Sequence, residues 1–287
     1  MPQRIVRVYC PDRTGLVSII TTAFADRGLN INQLDQFTND GSFFVRAVIE
    51  ASAGLFASPA AEDDEFRRLG ERLTASIDDA EVEIRPHPAQ QRIVVLASRT
   101  DHCLNEMIRR AQDGQLGGSI VKVVANHDVH RQLCEFHGIP FVVVPHEGLS
   151  KQEHEAAVLE AIGEDVDLIV LARYMRILSD EFLQKAPTPI INIHHSFLPS
   201  FIGANPYQRA HDRGVKMIGA TAHYVTADLD EGPIIEQDVT RVHHGHSKDD
   251  LVQAGADVER TVLHRAVQAH CEGRIFLNGD RTVVFGS

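Results

Sequence analysis

Cysteine is scarce and unpaired in this chain. Cys10, Cys103, Cys134 and Cys271 lie far apart and none forms a C-x-x-C motif. Scattered thiols in a chain of 287 residues argue against a disulfide framework and for a reduced, cytoplasmic setting. No apolar signal core precedes the strand-like Arg4–Tyr9. No run approaches the roughly 20 apolar residues that cross a bilayer, so no membrane partner is expected. Positive charge is also in short supply. The 28 Lys and Arg face 40 Asp and Glu, and a net charge of -12 opposes attraction to phosphates, so nucleic acid is not an expected partner. Where a G-x-G-x-x-G would follow the first apolar strand of the larger part of the chain, Ser98-Arg99-Thr100-Asp101-His102 stands instead, and no G-x-x-x-x-G-K-[ST] occurs. Neither a dinucleotide nor ATP is indicated.

The chain is long enough for two domains with separate cores. From Arg4 to Pro86 the pattern predicts strand Arg4–Tyr9, helix Leu16–Asp26, strands Asn30–Phe37 and Ser42–Ala51, helix Asp64–Ile77 and a last strand at Glu81–Ile84. That order, β-α-β-β-α-β, is ferredoxin-like. The Ala- and Ser-rich stretch from Ala51 to Asp64 reads as an exposed loop. Asp12-Arg13-Thr14-Gly15-Leu16 lies at the first helix start, where free N–H groups suit either a small carboxylate or an ordinary cap and turn. The domain assignment is residues 1–86, a linker at 87–92 containing His87-Pro88, and residues 93–287. Beyond the linker, Ile93–Ala97, Ile120–Val124, Phe141–Val144 and Leu168–Leu171 are short apolar strands separated by helical patterns. They predict a doubly wound parallel sheet covered on both faces, with its site outside the carboxyl ends of the strands.

The chemistry-bearing stretch runs from Asn192 to Gln237. In Ile191-Asn192-Ile193-His194 the polar residues alternate with Ile, and the two-residue period of a strand points Asn192 and His194 to one face. Asp228 and Asp230 follow another strand-like run, and Glu231-Gly232-Pro233 is a turn able to return a carboxylate toward the histidine. By the same alternation His195 points to the opposite face and reads as a packing or supporting residue. His223 reads as a hydrogen-bonding support. His243-His244-Gly245-His246 lacks cysteine and H-E-x-x-H spacing, so a solvated loop before a helix is expected there and no metal site.

Asn192-x-His194, Leu198-Pro199-Ser200-Phe201, Gly203, Gly219, His223 and Leu229-Asp230-x-Gly232-Pro233-Ile234-Ile235 together resemble the formyltransferase family that uses 10-formyltetrahydrofolate. Cys10-Pro11-Asp12-Arg13-Thr14-Gly15-Leu16-Val17 and Leu29-Asn30-Ile31 resemble an ACT domain. The combination, with His194-His195-Ser196-Phe197 and Gly203-Ala204-Asn205-Pro206-Tyr207, is similar to the formyltetrahydrofolate deformylase family over essentially the whole chain. The fold it implies is an α+β ferredoxin-like ACT domain followed by an α/β doubly wound, Rossmann-like formyltransferase domain. The activity it implies is hydrolysis of 10-formyltetrahydrofolate, with the folate as substrate and no separate cofactor. It also implies that Met175, Arg176, Ile177 and Leu178 hold the pterin, with Thr226 and Asp228 among the substrate-binding residues. A small amino acid, glycine or methionine, is the implied effector near Asp12, Arg13, Gly15, Leu16 and Asn30, and a homo-oligomer is the implied assembly. Arg99-Thr100-Asp101 departs from the Gly-Ser-Asn of the glycinamide ribonucleotide branch, which favours water over a ribonucleotide amine as acceptor.

A formamide reacts through a tetrahedral intermediate whose oxygen becomes negative, and aimed donors stabilise it. Asn192 and protonated His194 are the expected donors. A carboxylate beside an imidazole favours the charged ring, so Asp230 is expected to hold and orient His194 and to move a proton. Two other functions remain open on sequence: formyl transfer to a small-molecule amine, and a non-catalytic amino-acid sensor.

Overall fold

Ile5, Val6 and Val8 are fully buried and draw Gln3–Pro11 into the first strand, β1. The computed structural model describes residues 3–52, 54–88, 90–198 and 206–286. Gly15, at φ 94°, ends the turn after β1 in a conformation that side chains resist and opens helix α1 (Leu16–Ala25). Strands β2 (Leu29–Asn39) and β3 (Ser42–Ala51), helix α2 (Pro59–Ser76) and strand β4 (Glu81–His87) follow. The sheet order is β2-β3-β1-β4 with every pairing antiparallel. Leu16, Ile20 and Phe24 of α1 and Phe66, Leu69 and Leu73 of α2 pack with Val6, Val8, Val45 and Ile49, so both helices serve one core. This is the ferredoxin-like arrangement expected from the sequence.

Helix α2 corrects the expectation of a loop to Asp64. Ser58 Oγ accepts the Ala61 N–H at 3.2 Å, and Pro59 occupies the first helical position, where its missing N–H is harmless. The small and acidic residues there are therefore a helix start. Ala53, within that stretch, and Ala89, within the expected linker, lie outside the described residues.

Residues 1–89, 272–276 and those from 283 onward form one compact unit, and residues 90–271 with 277–282 form the other. The second unit begins with strand β5 (Gln91–Ala97), inside the expected linker. In order come α3 (His102–Gln112), β6 (Gly118–Ala125), α4 (Arg131–Phe136), β7 (Phe141–Val143), α5 (Lys151–Ile162), β8 (Leu168–Ala172), α6 (Asp180–Lys185) and β9 (Ile190–His194). They are followed by α7 (Pro206–Arg213), β10 (Met217–Tyr224), β11 (Ile234–Arg241) and α8 (Lys248–Cys271), and a short hairpin of β12 (Ile275–Asn278) and β13 (Arg281–Val284) comes last.

The sheet order is β11-β10-β9-β8-β5-β6-β7. Strands β5 to β9 are parallel, but β10 runs antiparallel to β9 and to β11. The sheet is therefore mixed, where the strand–helix alternation had predicted a parallel one. The β10–β11 connection is too short for the crossover that a parallel pair requires, so the chain turns back on itself. Leu96, Val124, Ile169 and Leu171 pack with Val158, Ile162 and Phe182 in the core, and α8 buries Val262, Leu263, Ala266 and Val267. All four cysteines are buried and none is in a disulfide. Among the described residues no helix is long and apolar enough to cross a membrane.

Candidate active site

Strand β9 ends in Asn192 and His194, and the antiparallel register sets His223 of β10 opposite Asn192. The connection from β10 to β11 brings back Asp230. Its backbone is left-handed, φ 59°, a conformation uncommon outside glycine and enriched for Asp and Asn. Gly232 closes that turn because a Cβ there would stand 1.8 Å from the Tyr224 carbonyl oxygen. The result is a compact polar group. His194 Nδ1 lies 3.2 Å from Asp230 Oδ2, and His223 Nε2 lies 3.7 Å from Asp230 Oδ1. His223 Nδ1 donates to the Tyr224 carbonyl at 2.9 Å, which leaves Nε2 facing Asn192 Nδ2 at 3.2 Å. His223 Nε2 thus lies between the Asn192 amide and the Asp230 carboxylate. Hydrogen bonding by His194, and secondarily His223, outweighs burial and holds the Asp230 carboxyl well below the usual carboxylate range. His194 Nε2 is buried and has no hydrogen-bond partner among the described residues, so the ring retains one nitrogen for a ligand.

Asn192, His194 and Asp230 line a cavity of about 590 Å³. Met175, Arg176, Ile177 and Leu178 line it from the loop after β8, and Thr226 and Asp228 line it from the approach to Asp230. In that loop Arg173 and Met175 are also left-handed, at φ 59° and 62°, a strain that tends to collect at functional sites. Both ends of the loop are tied. Asn126 Nδ2 donates to the Tyr174 carbonyl at 3.4 Å, and the Ser179 N–H donates to buried Glu155 at 2.9 Å. Met175 and Ile177 remain exposed, giving apolar surface beside the polar trio. Residues 199–205, which carry Pro199-Ser200-Phe201 and Gly203-Ala204-Asn205, lie outside the described residues.

Two features were not foreseen. His195 follows the last residue of β9, so strand alternation no longer governs it, and it lines the same cavity as His194. Burial, aided by the Arg173 charge, pushes its ring down to about 4. The second is Glu259, buried on α8. It accepts from Tyr207 Oη at 2.6 Å and from His102 Nε2 at 2.8 Å, with Arg173 Nε at 3.4 Å. Burial raises this carboxyl, but His102, Arg173 and Tyr207 outweigh it and leave it below its ordinary value. The available signal was an acid on the apolar face of a helix, among Val258, Val262 and Leu263.

Among the described residues, His102, Cys103 and Glu259 are the one group with metal-type donors in reach of one another. Glu259 is already committed to two donors and faces a guanidinium, and burial pushes the Cys103 thiol well up. The group fits a hydrogen-bonded hub better than a cation site. In the 243–246 segment, His243 Nδ1 accepts from the Gly245 N–H and His246 Nδ1 from the His243 N–H, both at 3.1 Å, as in a self-capped turn.

In the first unit, Gly15 borders a cavity of about 460 Å³ with Ser18, Thr22, Arg72 and Ser76. Arg13 donates to the Ser76 carbonyl at 3.2 Å, the Asp12 N–H to the Gly41 carbonyl at 2.7 Å, and Leu16 is buried in the core. Asn30 does not join them. It pairs through Glu50 with Gln3, at the opposite end of the sheet from Pro11, roughly 30 Å along the strands. The expectation of an effector near both Asp12–Leu16 and Asn30 is corrected accordingly for one chain.

The formyl transferase family description matches residues 91–267 and the ACT domain description matches residues 4–54. Formyltetrahydrofolate deformylase of Mycobacterium tuberculosis (strain ATCC 25618 / H37Rv) is 46% identical over 279 residues, covering 96% of this chain and 88% of that protein. The one from Escherichia coli (strain K12) is 42% identical over 287 residues, covering 99% of each. A crystal structure of a formyltetrahydrofolate deformylase from Pseudomonas syringae pv. tomato superposes with a TM-score of 0.92 at 38% identity, covering 100% of this chain and 95% of that one. A glycinamide ribonucleotide transformylase from Symbiobacterium toebii reaches a TM-score of 0.65 at 30% identity, covering 69% of this chain and 95% of its own. With an ACT domain ahead of a formyl transferase domain, and with these likenesses spanning nearly its full length, the chain belongs to the formyltetrahydrofolate deformylase family.

Proposed function

We propose that the chain hydrolyses 10-formyltetrahydrofolate to tetrahydrofolate and formate, with Asn192, His194 and Asp230 as its catalytic groups. The observation that carries this reading is the 3.2 Å contact of His194 Nδ1 with Asp230, with His194 Nε2 lacking a partner among the described residues in a cavity shared with Asn192. Water adds through oxygen to the formyl carbon while the Asn192 amide and His194 Nε2–H hold the developing oxyanion. Asp230, ionised in the resting site, is a weak base toward free water. Water bonded to the carbon becomes strongly acidic, so the proton passes to Asp230 as the C–O bond forms. The C–N10 bond then breaks, N10 takes that proton, and formic acid leaves and gives its remaining proton to water as formate. No oxidation state changes, so the step calls for no redox cofactor.

The 175–178 loop supplies apolar flanks for the pterin, and Thr226 and Asp228 supply polar contacts nearby. A small amino acid is the proposed effector at the Gly15 cavity. Leu34 and Phe37, exposed on the edge strand β2, support pairing between ACT units in a homo-oligomer. The buried cysteines, none in a disulfide, accord with a cytoplasmic protein.

Formyl transfer to an amine is the second reading, favoured by the likeness of the second unit to a transformylase. Incubation with 10-formyltetrahydrofolate and no acceptor separates the two. Stoichiometric formate is expected; silence until an amine is added would establish transfer instead. Amino-acid binding without any folate turnover would restore the sensor.

A further inference from the structure

The wall of the cavity beside His194 is a row of rings. His194 and His195 have centroids 5.2 Å apart, and those of His195 and Tyr207 are 6.0 Å apart. All three line the cavity, and Tyr207 ends the row on α7. Its hydroxyl donates to Glu259 Oε1 at 2.6 Å, a carboxylate only 1% exposed. Swinging the ring away would leave a buried charge with one donor fewer, so the ring is held firmly. The seat is specific as well. A Cβ at Gly255, one helical turn before Glu259 on α8, would lie 2.0 Å from the Tyr207 hydroxyl oxygen. A glycine weakens a helix interior, and here it leaves the one space that admits the phenol.

The hydrolase reading raises the question of how the formyl carbon is kept from amines, which are stronger nucleophiles than water. Water needs room for one atom. A primary amine needs room for its substituent behind the attacking nitrogen, and a stiff ring wall stands in this cavity beside His194. We propose that Tyr207, clamped by Glu259 in the gap left by Gly255, is a specificity-determining residue that reserves the formyl carbon for water. This inference rests on the hydrolase reading and deepens it. Selection comes from exclusion of the wrong nucleophile. With the wall removed, an amine nitrogen would bond to the formyl carbon and lose a proton, the C–N10 bond would break, and N10 would gain a proton. The products are tetrahydrofolate and a formamide, with no redox change.

The test measures formate and N-formylglycinamide together, using the full-length protein, 10-formyltetrahydrofolate and excess glycinamide. Their ratio does not depend on the fraction of folded enzyme, so general destabilisation leaves it unmoved. Wild type is expected to release formate almost alone. Tyr207→Ala removes the wall and Gly255→Ala displaces it without altering Tyr207 or Glu259. Each is expected to raise the ratio of formylglycinamide to formate by about tenfold or more. An unchanged ratio in both folded variants, beside a wild type that releases formate, overturns the inference alone. A wild type that formylates glycinamide faster than it releases formate overturns the wall directly. A wild type that releases no formate in the absence of amine overturns the hydrolase reading and the inference with it.

Discussion

Replacing Asp230 by asparagine removes one negative charge while keeping size and shape, and asparagine tolerates the left-handed backbone at φ 59°. The variant therefore separates charge from turn geometry, which Asp230→Ala would confound. The lost interaction is the charged hydrogen bond to His194 Nδ1, 3.2 Å long in a largely buried site. A hydrogen bond to a charged group contributes about 1.5–3 kcal/mol, roughly 10- to 150-fold in rate if expressed wholly in the transition state. Loss of proton transfer removes about 10²–10⁴-fold. Because one carboxylate performs both tasks the losses do not multiply, and the expected fall in kcat is about 10²–10⁴-fold with KM little changed. Formate release under saturating substrate measures it. The sign of the pH effect follows from the depressed Asp230 carboxyl. Its contribution to stability is fully present above the ordinary aspartate value, about 3.9, and is lost as pH falls toward the depressed one. Any stability gap between wild type and a folded variant should therefore narrow below about pH 4. An Asp230→Asn enzyme that keeps kcat within about threefold of wild type would refute the assignment of both roles.

Asn192→Ala should lower kcat by about 10²–10³-fold, the usual loss for one oxyanion donor, with a smaller change in KM in the same formate assay. His195, held neutral down to about 4, should make the protein less stable as pH falls from about 6.5 to 4, because the unfolded chain takes up a proton that the folded ring refuses. Urea unfolding across that window should show a loss on the order of 2–3 kcal/mol that His195→Gln flattens, and identical pH profiles would contradict it. Gly232→Ala forces a Cβ against the Tyr224 carbonyl, so it should open the turn that returns Asp230 and lower kcat more than about tenfold even where circular dichroism is unchanged. Calorimetry should detect glycine or methionine binding that Arg72→Ala weakens, and absence of heat with either ligand would leave the ACT unit as an assembly element only.

Sequence periodicity sufficed for the elements whose local and global demands agree. Strands β1 and β4 of the first unit largely follow their apolar alternation, and the cores of the buried strands β5 and β8 are continuous apolar runs because they are covered on both faces. Asn192 and His194 were placed together by the period of a single strand, and the Gly232 turn announced the return of an acid. Other features depended on residues far apart in the chain. Strand direction in β10 and β11 is set by connection length and sheet pairing, which composition does not encode. His195 lines the same cavity as His194, not the opposite face, because alternation ends where the strand ends. Asn30 was grouped with Asp12 by motif, yet register carries it to the other end of the sheet. Glu259 gave only the weak signal of an acid on an apolar helix face. Its partners His102, Arg173 and Tyr207 come from three other segments, and only tertiary packing could bring their donors to one buried carboxylate. Local pattern thus determined the elements and the polar pair on β9, while the meeting of that pair with Asp230 and the ring wall beside it required the folded chain, because contacts distant in sequence leave no period to read.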